Sequence, residues 1–358
     1  MSNLWLRART RSPWRQGPVA ALLFGTLLAL AGLHARAAEP LAQSVLTVGF
    51  TVSDVDRAQA FFHDVLTFER VAEREVTGRP FELLQGVFGL RARIVSMRLG
   101  DDTIELTEYL APRGRPFPPD LRSHDRSFQH VAIIVSDMDA AYARLRANRV
   151  QHASTGPQTL PASIPAAAGI RAFYFRDPDG HSLEVLQFPP DKGLARWHRT
   201  DRLFLGIDHT AIVVADTDAS LRFYRDALGL TIAGTSENFG VEQEHLNNVF
   251  GARLRITTLR GTGGPGIELL QYLAPSDGRP APADLRSNDL LHWQTTIATQ
   301  VPGRAERALL DAHAALVSPG LVDMPAEDAE FTRGLLVRDP DGHGVRVVSS
   351  PASLTFAR

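Results

Sequence analysis

The chain has 358 residues, of which 44% are hydrophobic and 22% are charged, and its formal net charge is -2. This composition is typical of a globular protein of about two domains and excludes a disordered or fibrous chain. The small net charge and the lack of a sustained Lys/Arg stripe argue against nucleic acid as a partner. The chain contains no Cys, which excludes disulfides, thiolate metal ligands and a Cys nucleophile.

The N-terminus has the layout of a cleavable signal peptide. Several arginines precede an apolar run over residues 19–33, and Ala35-Arg36-Ala37 supplies a small-x-small cleavage pattern. The run holds about 15 residues, fewer than the roughly 20 that a membrane-spanning helix needs. We therefore expect residues 1–37 to be removed and the mature protein to start at Ala38. This predicts an exported protein, periplasmic or secreted, with no membrane association after cleavage.

The rest of the chain repeats itself. Phe61-Phe62 returns as Phe223-Tyr224, and the sequence Asp-Pro-Asp-Gly-His at 177–181 returns at 339–343, each 162 residues later. Each half divides again near residues 128 and 290, so we predict four modules. The predicted organisation is a first domain over 38–190 (modules about 45–110 and 127–188), a linker over 191–204, a second domain over 205–350 (modules about 205–273 and 290–349) and a tail over 351–358.

The modules show one order of secondary structure, a strand, a helix and three more strands. In the second module, residues 139–149 predict the helix, and residues 172–175 and 182–188 predict two of the strands. The third module is clearest. The β-branched run Thr210–Val214 predicts a strand, Asp216 or Thr217 can cap a helix with an apolar stripe, and Gly229 stands where that helix would end. Its remaining strands are predicted over 230–235, 253–259 and 266–272.

These repeated features resemble the vicinal oxygen chelate superfamily, which includes glyoxalase I, extradiol dioxygenases, and fosfomycin- and bleomycin-resistance proteins. The residues that carry the resemblance are His209-Thr210-Ala211-Ile212-Val213-Val214, Phe223-Tyr224 before Leu228-Gly229-Leu230, and the Asp-Pro-Asp-Gly-His turn that leads into a strand with Glu184. The resemblance implies an α+β fold of four βαβββ modules. These would pair into two domains, each an eight-stranded, cup-shaped sheet flanked by helices.

The resemblance also implies where metal ligands would lie, on the first and last strand of each module. Aligning the repeats gives one set of four positions for each predicted cup. The first cup would hold Thr47, Glu105, His130 and Glu184, and the second would hold His209, Glu268, His292 and Arg346. Each cup therefore lacks one ligand, because Thr is a weak ligand and the guanidinium of Arg346 is cationic and cannot coordinate a metal.

Two sets of metal ligands remain under this alignment. The stronger is His209, His292 and Glu268, a two-His, one-carboxylate set like that of non-haem iron sites. The weaker is Glu105, His130 and Glu184. The expected cofactor is a divalent ion, Fe(II), Mn(II), Zn(II) or Ni(II). The alternative is that these histidines are structural and that the buried carboxylates are paired with cations, as Arg346 could pair with Glu268.

Three arginines are candidate substrate-binding residues, namely Arg346 and the pair Arg122 and Arg286. The last two belong to a repeated Asp-Leu-Arg-Ser segment within proline-rich linkers between modules. They could recognise an anionic group at the mouth of a cup, or form Asp–Arg pairs that fix the crossover. We expect His181 and His343 to be surface loop residues. No catalytic residue can be assigned.

Three functions are consistent with these patterns. The first is a metal-dependent enzyme, a lyase, an isomerase or a ring-cleaving dioxygenase, acting on a small oxygen-rich molecule. The second is a metal-free protein that binds or sequesters a small molecule, which the missing ligands favour. The third is a division of labour in which one cup binds metal and the other is structural. The expected partner is a small-molecule ligand, and the expected assembly is a monomer or homodimer.

Overall fold

The computed structural model describes residues 40–325 and 330–350. The predicted signal peptide and the predicted tail over 351–358 lie outside these ranges. Among the described residues, no helix has the length and hydropathy needed to cross a membrane.

The described residues form four modules of the predicted type, so the predicted α+β class is confirmed. Module 1 comprises β1 (Ser44–Thr51), α1 (Val55–Asp64), β2 (Glu69–Thr77), α2 (Arg79–Gln85), β3 (Arg91–Leu99) and β4 (Asp102–Ala111). Module 2 comprises β5 (Gln129–Val135), α3 (Met138–Ala147), β6 (Gln151–His152), β7 (Gln158–Thr159), β8 (Arg171–Arg176) and β9 (Ser182–Gln187). Module 3 comprises β10 (Phe204–Val213), α4 (Thr217–Leu221), β11 (Thr231–Phe239), α5 (Val241–Asn247), β12 (Arg253–Arg260) and β13 (Gly266–Ala274). Module 4 comprises β14 (Trp293–Thr299), α6 (Pro302–Asp311), β15 (Ala315–Leu316), β16 (Val322–Asp323), β17 (Arg333–Arg338) and β18 (Gly344–Ser349).

The first helix of modules 1 to 3 begins at an aspartate that follows the first strand. The side chains of Asp54, Asp137 and Asp216 each accept a hydrogen bond from a backbone N–H in the first helical turn. Such capping satisfies donors that a helix N-terminus would otherwise leave unpaired. In module 3 the helix continues from α4 into a π-helical turn over Arg222–Ala227. The short helices α2 and α5 were not predicted.

Each of the two sheets has nine strands and joins modules that are not consecutive. One sheet has the order β15-β17-β18-β14-β1-β4-β3-β2 with β16 beside β17, and therefore joins modules 1 and 4. The other has the order β11-β12-β13-β10-β5-β9-β8-β6 with β7 beside β8, and therefore joins modules 2 and 3. The expectation that modules 1 and 2 share one cup and modules 3 and 4 the other is wrong. We call the concave face of modules 2 and 3 the inner-module cup and that of modules 1 and 4 the outer-module cup.

The linkers between modules explain this pairing. Residues 112–128 carry the chain from the first sheet to the second, and residues 275–292 carry it back, whereas residues 188–203 join two modules of the same sheet. The two crossing linkers contact each other. Arg115 binds the Asp289 carboxylate at 2.6 Å, and in the same way Arg279 binds Asp125 at 2.6 Å. Reciprocal charged hydrogen bonds of this kind hold both crossovers at fixed positions.

Consecutive modules do pack together, but face to face instead of edge to edge. One apolar cluster includes Val48 and Leu106 of module 1 with Val131 and Phe173 of module 2. A second cluster joins modules 3 and 4 through residues such as Ile212 and Val345. Burial of these clusters from water fixes the two sheets back to back and leaves one concave face of each sheet free to form a cup.

We predict that cysteines placed at Ser44 and Ala298 form a disulfide, because these residues are direct partners on β1 and β14. Opposed residues on antiparallel strands have Cβ atoms about 4.5–5.5 Å apart, which is near the range a disulfide requires. The natural chain has no Cys, so any cross-link is unambiguous. It would be detected by peptide mass mapping after mild oxidation.

The matched control is Ser44→Cys with Ile134→Cys, the pair that would be opposed if modules 1 and 2 shared a sheet. We expect no cross-link in this control. A cross-link there, or none between positions 44 and 298, would contradict the observed module pairing.

Candidate metal centre

The pairing of modules 2 and 3 brings two histidine-bearing strands side by side. On β5 and β10, His130 lies opposite Ala211, and His209 lies opposite Ala132. The last strand of each module then adds a carboxylate, since Glu184 is the neighbour of Ala132 and Glu268 the neighbour of Ala211. Two histidines and two glutamates therefore occupy the centre of the inner-module cup.

The functional atoms of these four residues are close together. One ligand atom from each of His130, Glu184 and His209 lies within 4.8 Å of the others. Glu184 Oε2 is 3.2 Å from His130 Nε2 and 3.7 Å from His209 Nε2, and Glu268 Oε2 is 3.4 Å from His209 Nε2. All four residues are mostly buried, although the Glu268 side chain is 19% exposed whereas that of Glu184 is 5% exposed.

The chemistry of these atoms fits a divalent cation. His130 Nε2 and His209 Nε2 are buried and make no hydrogen bond within the part of the chain that the structure describes. Buried nitrogens of this kind are costly unless something binds them. The two glutamates add negative charge that a divalent ion would balance, and imidazole with carboxylate is a donor set for borderline divalent metals.

His209 is held in place by the preceding residue. Its Nδ1 lies 3.0 Å from Asp208 Oδ2, and Asp208 also accepts hydrogen bonds from Trp197 and Arg260. Strand alternation would send Asp208 to the opposite face, but the register of β10 shifts between Ile207 and His209. This bulge lets Asp208 reach the His209 ring and leaves Nε2 facing the cup, an arrangement common around metal-binding histidines.

The surrounding carboxylates also control the protonation of His209. Burial disfavours the charged imidazolium, but Glu268, Asp208 and Glu184 together outweigh burial and raise the pKa of His209 to about 9. Burial likewise disfavours the Asp208 carboxylate, yet hydrogen bonds from His209 and Arg260 hold the pKa of Asp208 well below its usual range. Asp208 is therefore a permanent anion that orients His209.

The other two members of the site are positioned by neighbouring strands. Glu268 Oε1 accepts a 2.8 Å hydrogen bond from Thr258 Oγ1 on β12. The His130 ring packs against Tyr174, with ring centroids 4.7 Å apart. Burial, with Glu184 adding to it, raises the pKa of Tyr174 well above its usual value, so this phenol stays neutral.

A cavity of about 310 Å³ opens onto this cluster, and Glu184, His209 and Glu268 form part of its wall. Most of the remaining wall is apolar, with residues such as Leu160, Leu254, Ile256 and Leu270. The cavity has the size and the mainly apolar lining, with a few polar groups, of a small-molecule site.

The outer-module cup contains an ion pair at the corresponding place. Arg346 donates to Glu105 and, through Nε, to Thr296 Oγ1 at 3.0 Å, and Arg74 also contacts Glu105 at 3.3 Å. Thr47 donates to the backbone carbonyl of Thr103. The space left beside Arg346 is about 10 Å³. A buried cation occupies the position that Glu184 has in the other cup, so this cup is not suited to a metal ion.

Both predicted ligand sets are therefore wrong as sets. The structure places His130, Glu184, His209 and Glu268 together and separates them from His292 and Glu105, which belong to modules of the other sheet. His292 is also not the counterpart of His130. In the strand registers, His130 lies beside Ser182 and Gln294 beside Gly344, so Gln294 is the counterpart.

A signal for this alignment was present in the sequence. The Asp-Leu-Arg-Ser segment recurs 164 residues later, so two residues are inserted in the second linker, and the same spacing takes His130 to Gln294. Asp208 was missed because strand alternation directs it away from His209 unless the strand bulges.

The candidate substrate-binding arginines lie outside the inner-module cup. Arg346 pairs with Glu105, not with Glu268 as the alternative pairing required. Arg122 binds Asp125 and Asp277, which supports the structural reading of the linker. The backbone N–H of Arg286 donates to Asp289, and the reciprocal pairs between linkers are made by Arg115 and Arg279 instead.

The two histidines of the repeated turn are buried, so their assignment to the surface was wrong. His181 binds Asp177 through Nδ1 and the Leu290 carbonyl through Nε2, each at 2.8 Å. His343 lies 2.9 Å from the Val213 carbonyl. Both rings tie the turn of one sheet to the other sheet, which is a structural role.

Comparison with known proteins agrees with this fold and site. The sequence model of the Glyoxalase/Bleomycin resistance protein/Dioxygenase superfamily matches residues 44–185 and 206–347. The two matches cover most of the chain, which therefore belongs to this superfamily, the one its motifs resemble. Each match supplies one module to each sheet.

Individual relatives differ in what they are called. A 2-epi-5-epi-valiolone epimerase from an Actinomyces species is 34% identical over 163 residues, which cover 42% of this chain and 82% of that protein. Glyoxalase I from Zea mays has a TM-score of 0.55 at 16% identity, covering 86% of this chain and 92% of that chain. A putative dioxygenase from Bacillus subtilis has a TM-score of 0.54 at 12% identity, covering 87% of this chain and 86% of that chain. At these identities the two structural likenesses show the fold alone.

We predict that Glu105→Gln lowers the free energy of unfolding by about 3 kcal/mol, because it leaves Arg346 buried without its carboxylate. The double variant Glu105→Leu with Arg346→Leu should lose less, since it removes both charges together. Urea unfolding followed by circular dichroism measures both effects. Equal losses in the single and double variants would contradict the assignment of a structural ion pair to the outer-module cup.

Proposed function

We propose that the protein is a divalent-metal-dependent isomerase, of the epimerase type, acting on a small oxygen-rich substrate that carries a carbonyl group. The observation that carries this proposal is the convergence of His130, Glu184 and His209 within 4.8 Å, with Glu268 beside them in the wall of a cavity. When bound, the ion would polarise the carbonyl oxygen of the substrate as a Lewis acid.

The four residues would divide two tasks. His130, His209 and Glu184 would hold the ion, and the Asp208 carboxylate would keep His209 Nε2 pointed at it. Glu268 would move the proton, because it is the most exposed carboxylate of the cluster and Thr258 fixes one of its oxygens. It would take a proton from the carbon next to the carbonyl and return a proton to that carbon. The formula of the substrate is unchanged and its configuration is inverted.

Two observations support this reaction over the alternatives. A metal-free binding protein was favoured by the missing ligands, but the module pairing supplies a complete donor set in one cup. A ring-cleaving dioxygenase needs only two histidines and one carboxylate, whereas this site has a second carboxylate available for proton transfer. The Actinomyces relative is named an epimerase, which is the same reaction type.

We also propose that the protein works outside the cytoplasm, on the basis of the signal-like pattern in residues 1–37. N-terminal sequencing of protein isolated from its natural host tests this, with Ala38 as the expected first residue. An intact N-terminus would contradict export by cleavage.

The metal site predicts one ion per chain. Protein stripped of metal and reloaded with Zn(II), Ni(II), Mn(II) or Fe(II) should bind one equivalent by mass spectrometry of the metal. His130→Ala and His209→Ala should each reduce the affinity by at least about tenfold, because each removes a ligand nitrogen. The control is His292→Ala, which removes a buried histidine of the other sheet and should leave the stoichiometry unchanged. Loss of metal in the control, or its retention in the first two variants, would overturn the site.

The proton-transfer role predicts exchange with solvent. Loaded enzyme in D₂O should exchange the hydrogen next to the carbonyl of its substrate, found by screening polyhydroxylated ketones with proton NMR. Glu268→Gln should retain the ion but slow exchange by about 10²–10⁴-fold, the range for loss of a general base. Metal binding with no exchange in any ketone would favour a binding protein. Oxygen consumption instead of exchange would favour a dioxygenase.

A further inference from the structure

A chain of three buried amides runs from the wall of the inner-module cup into the protein. Asn238 on β11 donates from Nδ2 to Gln243 Oε1 at 3.0 Å, and Gln243 Nε2 donates to Asn247 Oδ1. All three side chains are nearly inaccessible, with at most 4% of any residue exposed. Asn238 and Gln243 line the same cavity as Glu184, His209 and Glu268.

This chain of amides has an unsatisfied group at each end. Asn238 Oδ1 and Asn247 Nδ2 are buried and have no hydrogen-bond partner among residues 40–325 and 330–350. An unpaired buried amide atom costs about 1–3 kcal/mol, so the arrangement is unfavourable unless a ligand completes it. Asn238 is the end that reaches the cavity, and so a ligand in the cavity is the partner that could satisfy it.

The internal duplication shows that the fold itself does not need these amides. The outer-module cup has the same strand and helix at an offset of 162 residues, and Val76 pairs with Ala92 as Asn238 pairs with Leu254. At the positions of Asn238 and Gln243 that cup has Val76 and Phe81, both buried in an apolar cluster. The polar version occurs in the cup that holds the candidate metal centre.

The position of Asn238 also sets the size of the ligand. Gly234 on β11 lies opposite Thr258, which lies opposite Glu268, so these residues form one row across the sheet. Asn238 is four residues further along β11, about 13 Å from that row at the usual rise of a strand. The apolar side chains of Leu254 and Ile256 lie between. A ligand that touches both ends has a reacting end, an apolar middle and a distant polar group.

We propose that Asn238 binds a hydroxyl group at the end of the substrate remote from the reacting carbonyl, an inference that rests on the proposed function. An amide chain can reverse its direction by flipping its three amides together, which would present either a carbonyl or an NH₂ group to the cavity. A hydroxyl can both donate and accept, so it matches either direction. The amide chain is a specificity determinant of the site and takes no part in proton transfer.

The test uses a series of alkyl hydroxamates of graded chain length, each with a counterpart that carries a terminal hydroxyl. A hydroxamate binds a metal ion through two vicinal oxygens, so the chain extends from the metal towards the cup wall. For the zinc-loaded protein, calorimetry should show one chain length at which the hydroxyl tightens binding about fivefold, the net worth of one hydrogen bond. The double variant Asn238→Val with Gln243→Phe, the residues of the other cup, should abolish this preference and bind the plain alkyl probe at least as tightly.

Two controls separate this inference from the proposed function. The double variant should keep one metal ion per chain, and Gln85→Met, which changes the counterpart of Asn247 in the outer-module cup, should leave the preference intact. Loss of the ion in the double variant would mean that the amides only support the metal site. No preference in the unmodified protein, including binding of neither probe, overturns the role of Asn238. A protein that binds no metal at all instead overturns the proposed function.

Discussion

The antiparallel pairing of β5 with β10 is the interaction on which the candidate site depends. It places His130 and His209 diagonally across two neighbouring strands, and the parallel neighbours β9 and β13 then add Glu184 and Glu268 on the same face. The two strands come from different halves of the chain. Neither half contains the four residues, so the site exists only when the two halves are folded together.

The same pairing gives the two cups different fates. In the outer-module cup, β1 pairs with β14 in the same geometry, but Thr47, Gln294 and Arg346 replace three of the four candidate ligands. The retained carboxylate, Glu105, is neutralised by Arg346 and Arg74. One cup has thus become an ion-paired structural core, while the other keeps a donor set, a cavity and a polar wall. This arrangement matches the division of labour considered from the sequence.

The sequence alone predicted the modules, their strands and most of their helices, because these depend on local patterns such as the Asp216 cap and the β-branched run after it. It also placed the right residues on the right strands, since His130, Glu184, His209 and Glu268 were all candidates. The module pairing could not be predicted, because it depends on contacts between the two linkers, such as Arg115 with Asp289, that are remote in sequence. Asp208 was missed for a similar reason, since a strand bulge reverses the side to which it points.

The most direct test of this account is anomalous diffraction from crystals soaked with Zn(II). We expect one peak per chain, in the inner-module cup, within coordination distance of His130 and His209 nitrogens and of a Glu184 oxygen, with Glu268 beside it. A peak at His292 or Glu105, or no peak in the inner-module cup of a protein that binds zinc in solution, would contradict the assignment of the site to modules 2 and 3.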